Sequence, residues 1–220
     1  DYSWSNGETT EDIDSLANGL YTLTVTDDNL CVLVIDTVIT SPTEIDITHV
    51  QTNVSCFGGN DATIDLTVGG AVPPYSYLWN TGDTLQDLDS LFVGTYDVII
   101  TDSNNCEDPY TVTITEPLAP LALSADSINV ACFGDSTGSI DLTVTGGTIA
   151  YSFSWSNGEV TEDIIDIPTG TYQVIVTDDN LCVDSLSMSI DQPAAPIALS
   201  ATQVDILCFG DFTGEIDLTV

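Results

Sequence analysis

The side chains in this sequence that could do chemistry are six cysteines, 35 carboxylates and one histidine, with no lysine or arginine beside them. Cys56, Cys132 and Cys208 each open a Cys-Phe-Gly turn, while Cys31, Cys106 and Cys182 each close a run of Asp and Asn. Thiols at two fixed stations suit disulfides in an oxidising compartment, with buried free thiols as the alternative. The Asp/Asn loops offer only oxygen donors, the set that a hard cation such as Ca²⁺ takes, although the same residues are ordinary turn formers. Asn60 and Asp61 facing Asp178, Asp179 and Asn180 would make such a Ca²⁺ cluster, and Asp135 and Asp27, Asp28 and Asn29 repeat its two halves. His49 stands alone, with no cysteine near it and no counterpart elsewhere in the chain, which argues against a catalytic or metal role. The Ser-Asn-Gly-Glu segments read as hairpin turns rather than nucleophiles, so no enzyme is expected.

The elements that must position these groups recur. Cys56, Cys132 and Cys208 are 76 residues apart, and Trp4, Trp79 and Trp155 keep nearly the same step, so the chain is a tandem array. Within residues 44–119, Ile64/Leu66/Val68, Tyr75/Tyr77/Trp79 and Tyr96/Val98/Ile100 alternate with polar residues, the period of strands with one buried face. Gly69-Gly70, Asn157-Gly158 and Asp102 to Asn105 supply the turns. About seven short strands, with a tryptophan on the third, predict an all-β, immunoglobulin-like sandwich. The strands expected are A at Glu44 to Val54, B at Thr63 to Val68, C at Tyr75 to Asn80 and C′ at Thr84 to Leu88. A short E follows, then F at Thr95 to Asp102 and G at Tyr110 to Glu116. Complete repeats are expected at 44–119 and 120–195, with strands C to G of another at 1–43 and strands A and B of another at 196–220. Trp4, Trp79 and Trp155 are expected in the cores, in preference to a role as sugar-stacking platforms.

That topology decides which cysteines can meet. Cys56 falls in the A–B turn and Cys106 in the F–G turn, at opposite ends of one sandwich. A strand of about eight residues spans roughly 27 Å, whereas a disulfide needs Cα atoms about 4.4–6.8 Å apart. If one repeat's A–B turn abuts the next repeat's F–G turn, Cys56 bonds Cys182 across the junction. Cys31, Cys106, Cys132 and Cys208 then pair with repeats outside this complete pair.

Composition narrows the partners. A formal charge of -35 excludes nucleic acid and anionic membrane surfaces, both of which require Lys and Arg. At 43% hydrophobic residues the chain is still a folding one rather than an acidic tail. No apolar run is long enough to span a bilayer. Lysine-dependent isopeptide bonds cannot form, so covalent reinforcement falls to cysteine.

Four blocks recur in order: CFGDSTGSIDLTVTGG, YSFSWSNGEVTEDI, GTYQVIVTDDNLC and a closing ITEP or IDQP. Together they resemble the SprB repeat of giant gliding-motility adhesins, exported to the cell surface by type IX secretion. The resemblance implies an extracellular filament whose repeats form a structural stalk supporting adhesion or gliding motility. Its partners would be neighbouring repeats of one long chain, with lateral or head-to-tail self-assembly. The alternative is an array of polysaccharide-binding modules acting by multivalency. Asp-Ser/Thr-apolar triplets at Ser15, Thr84 and Ser90 resemble the O-glycosylation motif of bacteria that share this export route.

Overall fold

The computed structural model describes residues 1–220, and every regular element in it is a strand. Strands β1 (Tyr2–Trp4), β2 (Gly19–Thr26) and β3 (Val32–Ile39) form one antiparallel sheet. Next come β4 (Ile45–Thr52), β5 (Ala62–Gly70), β6 (Ser76–Trp79), β7 (Leu88–Leu91), β8 (Gly94–Thr101) and β9 (Glu107–Ile114). They make two three-stranded sheets, β4-β5-β7 and β6-β8-β9. The pattern repeats with β10 (Ala122–Ile128), β11 (Gly138–Thr145), β12 (Ser152–Trp155), β13 (Ile164–Ile167), β14 (Gly170–Thr177) and β15 (Val183–Ile190), in sheets β10-β11-β13 and β12-β14-β15. A two-stranded sheet of β16 (Ser200–Val204) and β17 (Glu215–Thr219) follows.

By contact, the chain divides into two compact units. One comprises Asp1–Gln51, Ile64–Leu88 and Thr95–Thr113; the other comprises Thr52–Thr63, Asp89–Gly94 and Ile114–Val220.

In the second unit the alternation of β11 and β14 turns Ile140, Leu142, Val174 and Val176 inward, where they enclose Trp155 with Tyr172 and Ile190. Truncating Ile140 to alanine in so closed a core costs about 2–5 kcal/mol. Trp155 donates its indole N–H to the Thr161 carbonyl at 2.9 Å, so the ring is buried without an orphaned donor. Tyr172 donates its hydroxyl to the Pro168 carbonyl at 2.9 Å, the tyrosine corner that closes the turn into β14, and burial raises its pKa. In the first unit Trp79 is 1% exposed and bonds the Leu85 carbonyl at 2.8 Å. Trp4 makes the same bond to the Thr10 carbonyl at 3.0 Å and is half-buried.

The expected C′ strand also fails to form. Residues 84–87 are irregular and pairing resumes only at β7. Their side chains replace the ladder: Asp87 accepts the Leu66 N–H at 2.9 Å, and the Gln86 amide donates to the Leu66 carbonyl. Asp163 and the Leu142 N–H reproduce the first of these contacts in the next repeat.

Candidate inter-repeat junction

The second unit contains the turn carrying Cys56 and the loop carrying Cys182, and each is held by its own set of bonds. The turn between β4 and β5 is pinned to the end of its own repeat. Val54 N–H donates to the Thr115 carbonyl at 3.0 Å, and Thr115 N–H donates to Asn53 Oδ1 at 3.0 Å. Gly58, in the left-handed region at φ +75°, turns its N–H to Glu116 Oε2 at 2.6 Å. Asp61 Oδ1 accepts the Ser55 N–H at 2.9 Å, and bonds from Ser55, its side chain first and then its backbone, hold the Asp61 carboxyl below the usual range. The cysteine is therefore presented on a braced turn rather than a loose one. Asn129 and Gln192 repeat the bracing around Cys132, with Gly134 N–H 2.8 Å from Gln192 Oε1.

The loop carrying Cys182 is built around one carboxylate. Asp178 is 4% exposed; its Oδ1 accepts the Asn180 and Cys182 N–H groups at 3.0 and 2.8 Å, and its Oδ2 accepts the Thr148 N–H at 2.8 Å. Asp102 in the first unit does the same for Asn104, Cys106 and Val72. Its carboxyl is held below the ordinary value, chiefly by the Cys106 N–H. Asp27 cradles Asn29 and Cys31 likewise. An Asp four residues before each cysteine sets the loop by satisfying amides that would otherwise be orphaned.

The two stations meet. Cys56 and Cys182 are bonded, with an S–S distance of 1.98 Å and Cα atoms 5.7 Å apart, across 126 residues of sequence. Asn180 adds a second link, donating its amide to the Ser55 carbonyl at 2.9 Å and to Thr148 Oγ1 at 3.1 Å. Cys182 Sγ also lies 3.5 Å from the Ser55 carbonyl, a packing contact only, since a disulfide sulfur carries no hydrogen. In the chain-entropy account, closing a loop of this length removes about 5 kcal/mol of freedom from the unfolded ensemble. The linker behind the junction is packed as closely: a Cβ on Gly146, at φ +69°, would lie 1.9 Å from the Pro120 carbonyl oxygen.

Cys31, Cys106, Cys132 and Cys208 are free thiols, all exposed. Of the residues expected around Ca²⁺, Asp61, Asp178 and Asn180 spend their polar atoms on Ser55, Thr148 and the loop amides, and Asn60 and Asp179 are exposed. Among the described residues no group of three or more His, Cys, Asp or Glu gathers into a metal constellation. Ser15 and Ser90 hydroxyls donate to the carboxylates of Asp14 and Asp89, and Thr84 is exposed. His49 bridges Tyr110, its Nδ1 2.8 Å from the hydroxyl, and Gln51, its Nε2 3.1 Å from Oε1. The neutral ring with the proton on Nε2 satisfies both contacts.

Sequence reasoning missed Asn53 with Asn129 and Glu116 with Gln192. Their signal was available: an Asn three residues before the turn cysteine, and an oxygen acceptor just before the proline that ends each repeat.

Repeated pairs of three-stranded sheets, with a disulfide from one repeat to the next, define an all-β, immunoglobulin-like repeat protein. The model of the SprB repeat family matches three segments of the chain, residues 48–84, 124–160 and 200–220. The two longer matches run from β4 through β6 and from β10 through β12, so they include the turn cysteine and stop short of the loop cysteine. No curated protein matches the chain by sequence. Among solved structures, extracellular domains 3–5 of Drosophila OTK are similar at TM-score 0.37 and 11% identity, covering 80% of this chain and 72% of that one. Murine CEACAM1b is similar at 0.29 and 16%, covering 68% and 100%. Domains 4–9 of the surface layer protein SbsC are similar at 0.22 and 13%, covering 91% and 39%. The fold assignment rests on the sheets themselves.

Proposed function

We propose that this chain is a stalk segment of an extracellular, adhesin-like surface filament, in which successive repeats are locked covalently and so transmit force. The observation that carries the reading is the Cys56–Cys182 bond between residues of different repeats. A disulfide inside one sandwich stabilises that sandwich, whereas one between repeats couples their unfolding and resists their separation. The acidic, lysine-free surface supports the same reading, because like-charged filaments repel within a Debye length of about 8 Å at physiological salt. The three SprB-repeat matches support placing the stalk in a gliding-motility adhesin exported by type IX secretion.

Polysaccharide arrays probed with the oxidised chain test the assignment. A stalk gives no binding above that of an unrelated acidic sandwich protein. Saturable binding to one glycan class, weakened by substitutions on an exposed sheet face, would replace the stalk with a multivalent binder.

A further inference from the structure

The Cys56–Cys182 bond closes a covalent ring around residues 57–181. That ring holds β5 through β14. It also holds every buried apolar side chain of the two complete repeats except Val54 and Ile190, including Trp79, Val98, Trp155 and Val174. Outside it, between residues 44 and 195, stands one strand on each side: β4 leads into Cys56, and β15 leads away from Cys182. Both are edge strands, β4 in the sheet β4-β5-β7 and β15 in the sheet β12-β14-β15. Each sheet therefore keeps its other two strands whatever happens to that edge.

Tension follows covalent bonds where they offer the shorter path. Applied on either side of the junction, it enters β4, crosses the two sulfurs and leaves through β15 without entering the ring. Strands have little length to give: the eight residues of β4 and the eight of β15 already rise about 3.4 Å each, close to the limit of an extended chain. From residue 44 to residue 195 the bridged path measures at most about 90 Å, against about 510 Å through the backbone alone, at roughly 3.4 Å per residue. Force does work only through extension, so in the bridged chain it gains almost nothing by opening a core. Matching clasps tie the two strand ends to the ring: Val54 N–H donates to the Thr115 carbonyl at 3.0 Å, and Val130 N–H to the Asp191 carbonyl at 2.9 Å. Opening either clasp frees an edge strand and leaves the ring folded.

We propose that the Cys56–Cys182 bond is a strain bypass: tension runs through β4, the two sulfurs and β15, and both repeat cores stay folded under forces that would otherwise open them. Ile64, Leu66, Ile140 and Leu142 then hold the shape of their repeats without bearing the pull, which falls on peptide bonds, the bridge and two edge strands. The inference rests on the stalk reading and adds to it where the force goes. The two fail separately. Glycan binding would replace the stalk and leave the force path as it is, whereas a core that feels tension in the bridged chain would remove the bypass and leave the stalk standing.

The test pulls the full-length chain from its termini at constant speed as the parent, as Val98→Ala and as Ile140→Ala. Each is pulled with the bridge formed and again in a background carrying Cys56→Ser and Cys182→Ser. Val98 and Ile140 are each 1% exposed, one in each core, so truncating either weakens that core alone. In the unbridged background the parent gives two core-unfolding steps; Val98→Ala lowers the force of one and Ile140→Ala that of the other. With the bridge formed, neither step occurs and the three traces superimpose. Ile140→Val, a smaller truncation, repeats the comparison should Ile140→Ala not fold. A lower unfolding force for either variant in the bridged chain overturns the proposal, as does a core-unfolding step in the bridged parent before the bridge itself breaks. Identical traces for all three chains in the unbridged background also overturn it, because tension would then avoid the cores without the bond.

Discussion

The side-chain amide of Asn180 donates to the main-chain carbonyl of Ser55 at 2.9 Å, joining positions 125 residues apart beside the Cys56–Cys182 bond. A neutral hydrogen bond of this kind contributes about 1 kcal/mol, roughly a five-fold change in an equilibrium constant. Asn180→Ala should therefore lower the effective concentration of the two thiols about five-fold, read as the bonded fraction in glutathione redox buffers. An unchanged value would mean that the sulfurs alone align the junction.

Acid should loosen the loops before it unfolds the sheets. Asp102 has a folded-state pKa below its unfolded value of about 3.8, chiefly because its carboxylate accepts the Cys106 N–H. A depressed carboxylate contributes stability that is present above the unfolded pKa and lost as pH falls through the folded one. Asp61 shifts in the same direction for the same kind of reason. Urea midpoints measured below about pH 4 should fall steeply for the parent chain and less steeply for Asp102→Asn, which is already weaker at neutral pH. Parallel curves would contradict this.

The linker contact at Gly146 separates backbone strain from collision. A Cβ there meets the Pro120 carbonyl oxygen at 1.9 Å with φ at +69°, whereas Gly158, at φ +93°, has nothing within 4 Å. Gly158→Ala should cost only the backbone term of about 1–2 kcal/mol. Gly146→Ala should cost at least twice as much in denaturant titrations. Equal losses would show that the linker yields.

Calcium should be without effect on stability. Asp61 and Asp178, the acids nearest the junction, already accept backbone N–H groups from Ser55, Thr148, Asn180 and Cys182. Thermal melts in chelator and in millimolar Ca²⁺ should superimpose. A clear rise with Ca²⁺ would mean that these oxygens exchange their amide partners for an ion.

Much of the fold was legible because alternation is a local signal: Ile64 and Leu66, or Val98 and Ile100, declare their strands within a few residues. The junction was legible for a different reason, that two cysteine stations at a fixed period restrict which ends can meet. The segment before β7 was misread because Gln86 and Asp87 satisfy Leu66 with side chains, which periodicity does not record. Glu116 was passed over because its partner, the Gly58 N–H, lies 58 residues away.

Pulling single oxidised chains from their two termini tests the covalent lock most directly. With Cys56 bonded to Cys182, the stretch between them is shielded, so the fully extended chain should be about 430 Å shorter than the reduced one, from the 126-residue separation at roughly 3.4 Å per residue. Adding reductant under load should release that length in one step. Equal contour lengths in the oxidised and reduced states would contradict the account, because the repeats would then be joined by the peptide chain alone.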